Sequence, residues 1–334
     1  MHRWRVAIVD RPGTLGQLVT STGAPWRVYV ALVLASALWA SLYTAAKPAV
    51  GVLGAAPVML CRVTLACVCL SPLVLARGGL RPVRDQLRAH WRGIVLLGLL
   101  NFGLSQLLAL SALNYLPASV NGVLNNTHPL WVALGTAAFF PRRQPRLLIG
   151  GSVVALVGVV FVFLPDLTSG VSGVSALGVV LSLAGSGVIA IGTVIGRRVM
   201  HGSDAMTVSA LASGVAIVPV LLLTLASGGL APIVEAPTSI KLLLVYVGVG
   251  CTAINFALWY YGLKHLPAAA ASAFQYLIPP IGVALAAIFL QEPVTVALLA
   301  GTACILVGLA ATQVASTNVS VTIRQRGQRE APLA

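Results

Sequence analysis

The sequence predicts an all-α fold, a polytopic membrane protein of ten transmembrane helices arranged as two inverted five-helix repeats. Three observations predict it. Only 8% of the 334 residues are charged and 58% are hydrophobic, against about 25% charged in a soluble domain, so a water-compatible surface cannot be assembled. Apolar stretches of about twenty residues, each long enough to cross roughly 30 Å of hydrocarbon as a helix, recur between Trp26 and Ala315. The second half of the chain also repeats motifs of the first at an offset of 150 residues.

Taken in order, residues 1–25 read as a basic tail. Their longest apolar run, Val6 to Val9, is too short for the hydrophobic region of a cleavable signal. Spans are expected near 26–46, 55–76, 93–113, 117–140 and 147–164, the first repeat (26–164). They continue near 175–196, 205–227, 242–263, 267–290 and 296–315, the second repeat (175–315), and residues 316–334 form a second tail. The five cysteines lie inside apolar runs with no CxxC pair, as small hydrophobes do.

The net charge of +14 raises the question of nucleic acid, and the placement of the charges answers it. Arg3, Arg5, Arg11 and Arg27, then Arg77, Arg81, Arg84, Arg88 and Arg92, then Arg142, Arg143 and Arg146 fall in alternate loops. Arg197, Arg198, Lys264, Arg324, Arg326 and Arg329 follow on the same side, eighteen of the twenty-one basic residues in all. Lys47 and Lys241 lie opposite, and Arg62 lies within a span. The positive-inside rule explains this pattern and places both termini in the cytoplasm. The expected partners are the lipid bilayer and a small-molecule substrate, with a homodimer left open and no nucleic acid.

The repeat is clearest between LNYLPASVNGVLNNTHPLWVALGTAAFF (113–140) and LKHLPAAAASAFQYLIPPIGVALAAIFL (263–290), which align without a gap. Pro129 falls on Pro279, Gly151 on Gly301, Gly158 on Gly308 and Lys47 on Arg197. Five spans is an odd number, so the second copy enters the membrane from the opposite side. Inverted repeats of this kind are typical of secondary transporters, whose substrate site lies at midplane between the copies. Pro129, and Pro279 with its neighbour Pro280, mark helix kinks. A proline frees the carbonyl four residues earlier, that of Asn125 or Gln275, and such backbone is tolerated in a membrane only against protein or a wet cavity.

These spans, with LPAS...NNTHPLWVAL and LPAA...FQYLIPPIGVALAAIFLQEPVT followed by LLAGTACILVGL, resemble the EamA branch of the drug/metabolite transporter superfamily. LWASLYTAAKPA, ending near Lys47, and PVMLCRVTLACVCLSPLVLAR, with Arg62 near its start, fit the same pattern. The resemblance covers about residues 26–315 and implies a metabolite transporter, with export as its direction. The chain departs from the family where Pro141-Arg142-Arg143 replaces the Gly-Glu-type turn that Gln291-Glu292-Pro293 retains, and where Arg62 faces Ala212 as its counterpart.

The candidate substrate-binding residues are the polar groups at midplane depth. Arg62 either faces a cavity, where its fork of donors suits a carboxylate or phosphate, or snorkels to the outer interface. Asn121, Asn125 and His128 share one helical face by their spacing. Ser272 and Gln275 make a stripe in the ninth span, Asn101 and Ser105 in the third, Thr252, Asn255 and Trp259 in the eighth, and Ser36, Trp39 and Tyr43 in the first. Trp39 is placed with the site, whereas Tyr43, nearer the outer end, is expected in the interfacial aromatic belt. Glu292 is expected as a solvated, helix-capping carboxylate. Gly151 with Gly158, and Gly301 with Gly308, are expected to permit close helix packing.

No nucleotide-binding, zincin or nucleophile-elbow motif occurs. No metal site, cofactor or catalytic residue is expected, and His128 has no acidic partner at its depth, which argues against an enzyme. The spans contain no Asp or Glu, so neutral, zwitterionic or anionic substrates rank above cationic drugs. The sequence thus predicts a secondary exporter of small polar metabolites, such as amino acids, in the cytoplasmic (inner) membrane. Multidrug efflux is the alternative.

Overall fold

In the computed structural model, residues 25–139, 146–169, 174–200, 203–266 and 268–329 are described. They are helical throughout, with no strand among them. Helix α1 (Trp26–Leu53) turns into α2 (Ala55–Gly78) at Gly54, whose φ of 81° favours a residue without a Cβ. The span α3 (Leu80–Ala112) follows. Next come α4 (Ala118–Asn125), α5 (His128–Phe139) and α6 (Arg146–Ser169).

The second half opens with α7 (Ala176–Met200) and α8 (Ala205–Ala226). Asp204 starts α8 as its N-cap, its carboxylate accepting the Thr207 amide at 3.0 Å. A short α9 (Ala231–Glu235) leads to the span α10 (Thr238–His265). Then α11 (Ala268–Ala273) passes through a 3₁₀ turn (Phe274–Leu277) into α12 (Ile278–Leu290), and α13 (Val296–Arg329) ends the described chain. The last helix therefore continues beyond the expected boundary at residue 315. The expected N-terminal tail, the Pro141-Arg142-Arg143 turn and Pro267 lie outside the described residues.

Among the described residues, eight helices are long and apolar enough to cross a membrane, and Leu147–Val162 forms a shorter apolar helix. The fourth expected span falls short for a local reason: α4 ends at Asn125, two turn residues intervene, and α5 restarts at His128 with Pro129 behind it. The corresponding stretch of the second half is interrupted by the 3₁₀ turn just before Pro279 and Pro280. The first helix is thus broken ahead of Pro129, whereas the second tightens to 3₁₀ geometry ahead of Pro279 without a gap. The expectation of a freed carbonyl fails at Gln275, whose carbonyl accepts the Ile278 amide. Tightening to 3₁₀ geometry supplies that partner three residues on.

Two features recur in the halves. A π-helical segment occupies Gly98–Leu104 in α3 and Tyr246–Ile254 in α10. Helices α6 and α13 pack back to back through glycine: a Cβ on Gly151 would stand 2.8 Å from the Gly308 carbonyl, and one on Gly158 2.7 Å from the Gly301 carbonyl. The expected glycine packing is therefore present, each glycine meeting one from the other helix in antiparallel register.

Candidate functional site

A cavity of about 360 Å³ lies between α1, α2, α3, α7, α8, α10 and the two interrupted helices, within the roughly 300–1,000 Å³ range of small-molecule sites. Each interrupted helix meets it at its break, through Asn125, Asn126 and His128 in one and Gln275 and Ile278 in the other. The π-segments meet it through Asn101, Phe102 and Thr252. Irregular backbone therefore sits where it can face a cavity instead of lipid, as membrane-depth chemistry requires.

Arg62 faces this cavity and does not snorkel outward; it is 6% exposed. Its Nε donates to Thr252 Oγ1 at 3.0 Å and its Nη1 to Gln106 Oε1 at 2.6 Å. Both partners are neutral, and no carboxylate lines the cavity among the described residues. Burying a cation in a membrane costs at least roughly 2.5 kcal/mol even on the lenient insertion scale. Neutral dipoles orient the guanidinium but leave its charge for another group to balance.

Beside it, Tyr43 Oη donates to Asn125 Oδ1 at 2.7 Å, and Asn125 Nδ2 reaches the Ser182 carbonyl at 3.5 Å. His128 restarts the helix after the break that follows Asn125 and lines the cavity there. Trp39, Phe102, Phe256, Trp259 and Tyr260 line the cavity as an aromatic surface. Trp39 lies 5.3 Å from Trp259 and 6.1 Å from Phe256 between ring centroids. One part of the cavity presents donors and a cation, and another presents aromatic faces.

The structure brings five of the nine sequence-derived candidates to the cavity: Trp39, Arg62, Asn125, His128 and Gln275. The other four are turned into helix contacts. Ser105 Oγ donates to the Asn101 carbonyl at 2.7 Å, and Asn121 Nδ2 to the Ala109 carbonyl at 2.8 Å. Asn255 Nδ2 donates to the Ala35 carbonyl at 2.7 Å, and Ser272 Oγ accepts from Gln313 Nε2 at 2.7 Å. Within a π-segment, residues four apart no longer share a face, so Asn101 reaches the cavity while Ser105 does not. Tyr43 is a correction in the other direction: it is buried in the cavity wall, not in an interfacial belt. Thr252 and Trp259, on the stripe expected in the eighth span, do line the cavity, whereas Gln106, Phe256 and Tyr260 carried no signal against an apolar background.

Outside the cavity, Glu292 is a helix cap as expected, but neither solvated nor on its own helix. Its Oε1 accepts the Ala118 amide at 2.7 Å, and its Oε2 accepts the Ser119 amide at 2.9 Å and Ser119 Oγ at 2.6 Å. It therefore satisfies the N-terminus of α4 from the α12–α13 turn. Lys47 Nζ adds an ion pair at 3.2 Å and donates to the Leu116 carbonyl at 2.9 Å. Burial pushes the Glu292 carboxyl up, but the Ser119 and Ala118 donors and Lys47 outweigh it and hold the carboxyl below its ordinary range.

A family model described as the EamA-like transporter family matches residues 26–164 and again 176–313. The chain belongs to the EamA-like transporter family. Among its relatives, a "probable terminal-alkyne amino-acid exporter" of Streptantibioticus cattleyicolor is 26% identical over 81% of this chain and 88% of its own. A "probable amino-acid metabolite efflux pump" of Salmonella typhimurium is 28% identical over 53% of this chain and 61% of its own. An "uncharacterized transporter" of Archaeoglobus fulgidus is 26% identical over 63% and 72%. A solved crystal structure aligns over 87% of this chain and 98% of its own with a TM-score of 0.58 and 21% identity, a likeness of fold alone.

The two family matches meet at the cavity of this EamA-like transporter. Trp39 and Ile189, Tyr43 and Thr193, Gln106 and Phe256, Asn125 and Gln275, and His128 and Ile278 each stand 150 residues apart, and every one of them lines it.

Proposed function

We propose that this chain is a secondary exporter of small carboxylate-bearing metabolites, amino acids or related compounds, working by alternating access with Arg62 as the carboxylate anchor. The observation that carries the reading is the buried Arg62 guanidinium, held by two neutral partners in a cavity that no carboxylate lines among the described residues. A guanidinium fork pairs with a carboxylate in bidentate geometry. The donors of Asn125, His128 and Gln275 suit the polar remainder of such a substrate, and the aromatic residues suit its apolar part. The names of two relatives, both concerned with amino acids, agree with this class.

Alternating access rests on ten membrane segments in two inverted five-helix repeats. Three kinds of feature separated by 150 residues favour it: the π-segments, the crossed glycine pairs and the matched cavity positions. The charge placement favours cytoplasmic termini in a cytoplasmic membrane. A lipophilic cation would meet the Arg62 charge in this cavity with no carboxylate to offset it, which disfavours multidrug efflux.

The test is flux from proteoliposomes loaded with labelled amino acids, simple carboxylates or lipophilic cations. Release of one or more carboxylate compounds, slowed in Arg62→Gln, is the expected result. Release of the cations with every carboxylate inert would overturn the reading in favour of multidrug efflux.

A further inference from the structure

The first part of α3 is set off from the rest of the helix by a kink. The backbone of His90 leaves helical geometry (φ −136°, ψ 20°), so residues from Leu80 to the kink form a separate segment ahead of the crossing part. On a helical projection Arg81, Arg84 and Arg88 fall within an arc of about 60°, and Leu80, Val83 and Leu87 fill the adjoining arc. All three arginines are exposed, as are Leu80 (72%), Leu87 (38%) and, just past the kink, Trp91 (55%). Arg77 and Arg92 flank the segment, and Arg92 lies over the Trp91 ring at 5.3 Å. None of the five arginines pairs with a carboxylate among the described residues.

The other half supplies an internal control. Gly78-Gly79-Leu80-Arg81-Pro82-Val83-Arg84-Asp85 corresponds at an offset of 150 to Gly228-Gly229-Leu230-Ala231-Pro232-Ile233-Val234-Glu235, the stretch that contains α9. Glycines, proline, apolar residues and acid are kept, while Arg77, Arg81, Arg84, Arg88 and Arg92 become Ser227, Ala231, Val234, Thr238 and Leu242. The glycine, proline and acid pattern of the segment is therefore kept without the arginines. Basic residues beside Leu and Trp are the composition of helices lying in the headgroup layer.

We infer that the Leu80–Ala89 segment is a docking surface for anionic phospholipid headgroups, with Arg81, Arg84 and Arg88 binding the phosphates and Leu80, Leu87 and Trp91 entering the acyl boundary. The occupant is set by charge complementarity and by position, since the segment flanks a membrane-crossing helix. Its inward side gives the contact a consequence. Val83 packs against the cluster that holds Leu70, Met206, Phe256 and Tyr260, and the last two line the cavity. Anchoring the segment steadies that wall.

The experiment uses the full chain in phosphatidylcholine vesicles with increasing phosphatidylglycerol, read by the thermal unfolding midpoint, so it needs no substrate and stands apart from the transport test. The wild type should be stabilised as phosphatidylglycerol is added, with the gain reduced at high salt. The fraction giving half the effect should rise about five-fold for each arginine lost in R84Q or R88Q. R84K/R88K, which keeps the charge, should stay near the wild type. A wild type indifferent to phosphatidylglycerol, an unchanged midpoint fraction in R84Q/R88Q, or the same stabilisation from inorganic phosphate in phosphatidylcholine alone would overturn the inference.

Discussion

The two halves furnish the cavity from matching positions with unlike chemistry. The first half contributes Arg62, Gln106 and His128 where the second has Ala212, Phe256 and Ile278, and Ala212 is packed out of reach of the cavity. The second half in turn contributes Trp259 and Tyr260, whose counterparts are Ala109 and Leu110. At the packing contacts the halves stay alike, as Gly151, Gly158, Gly301 and Gly308 show. Packing preserves the relation between the copies, while in the cavity the first half supplies the Arg62 charge and both halves supply aromatic rings, Trp39 and Phe102 from one and Phe256, Trp259 and Tyr260 from the other. A substrate with an anionic end and an apolar end fits such a site in one orientation.

The same contrast appears at the ends of the interrupted helices. Glu292 of the second half caps α4 and pairs with Lys47, but its counterpart in the first half is Arg142, and the counterpart of Lys47 is Arg197. Two arginines cannot reproduce a carboxylate–ammonium pair on a helix N-terminus. The sequence at the counterpart positions therefore holds no carboxylate–ammonium pair.

The largest expected effect tests the charge asymmetry. Arg62→Gln should lower transport by about ten- to hundred-fold, since hydrogen bonds to charged groups contribute about 1.5–3 kcal/mol. It should leave thermal stability unchanged or raised, because it removes a buried charge balanced only by neutral groups. Flux and unfolding measured on the same preparation check both. A matched loss of stability would make Arg62 structural.

Next, Gly158→Ala and Gly301→Ala probe where the halves are alike. Each Cβ would meet backbone across the α6–α13 contact, the first 2.7 Å from the Gly301 carbonyl and the second 2.7 Å from the Gly158 carbonyl. Each should cost about 1–3 kcal/mol, and unfolding midpoints should fall by similar amounts. A large loss in only one would break the symmetry of the pair.

Glu292→Gln should destabilise by about 1–2 kcal/mol, as loss of a helix cap and its charge does. The pH dependence has a definite sign. The folded carboxyl titrates below its unfolded value near 4.5, so its contribution is present above that value and is lost as pH falls through the lowered folded value. The wild type should therefore lose its advantage over Glu292→Gln below about pH 4.5.

Tyr43→Phe should have a smaller effect, about 1 kcal/mol or a few-fold in transport, through loss of the bond that orients Asn125. Its counterpart, Thr193, bonds within its own helix, at the Ile189 carbonyl. Thr193→Val should therefore change flux less than Tyr43→Phe does, when the two are measured together.

Much of this was legible in the sequence because membrane physics leaves few choices. Twenty-residue apolar runs, the prolines and the 150-residue offset located the helices and both interruptions, and Arg62, Asn125, His128 and Gln275 stood out as polar at depth. Ser105, Asn121, Asn255 and Ser272 were equally polar, but spacing along one helix does not say which neighbour covers a face. The π-segments carry no sequence mark, yet they turn Asn101 away from Ser105. Tyr43 and the aromatic residues of α10 are indistinguishable by type from interfacial or core residues, and only the packing separates them. Glu292 was legible as a cap, but its helix lies in the other half of the chain.

The central claim is that Arg62 holds a substrate carboxylate, and competition in counterflow tests it most directly. A labelled amino acid carried by the wild type would be challenged with the same unlabelled amino acid and with its carboxamide, which keeps the shape and removes the negative charge. Strong competition by the acid and little by the amide, with that preference lost in the residual transport of Arg62→Gln, is the predicted result. Equal competition by acid and amide in the wild type would contradict it.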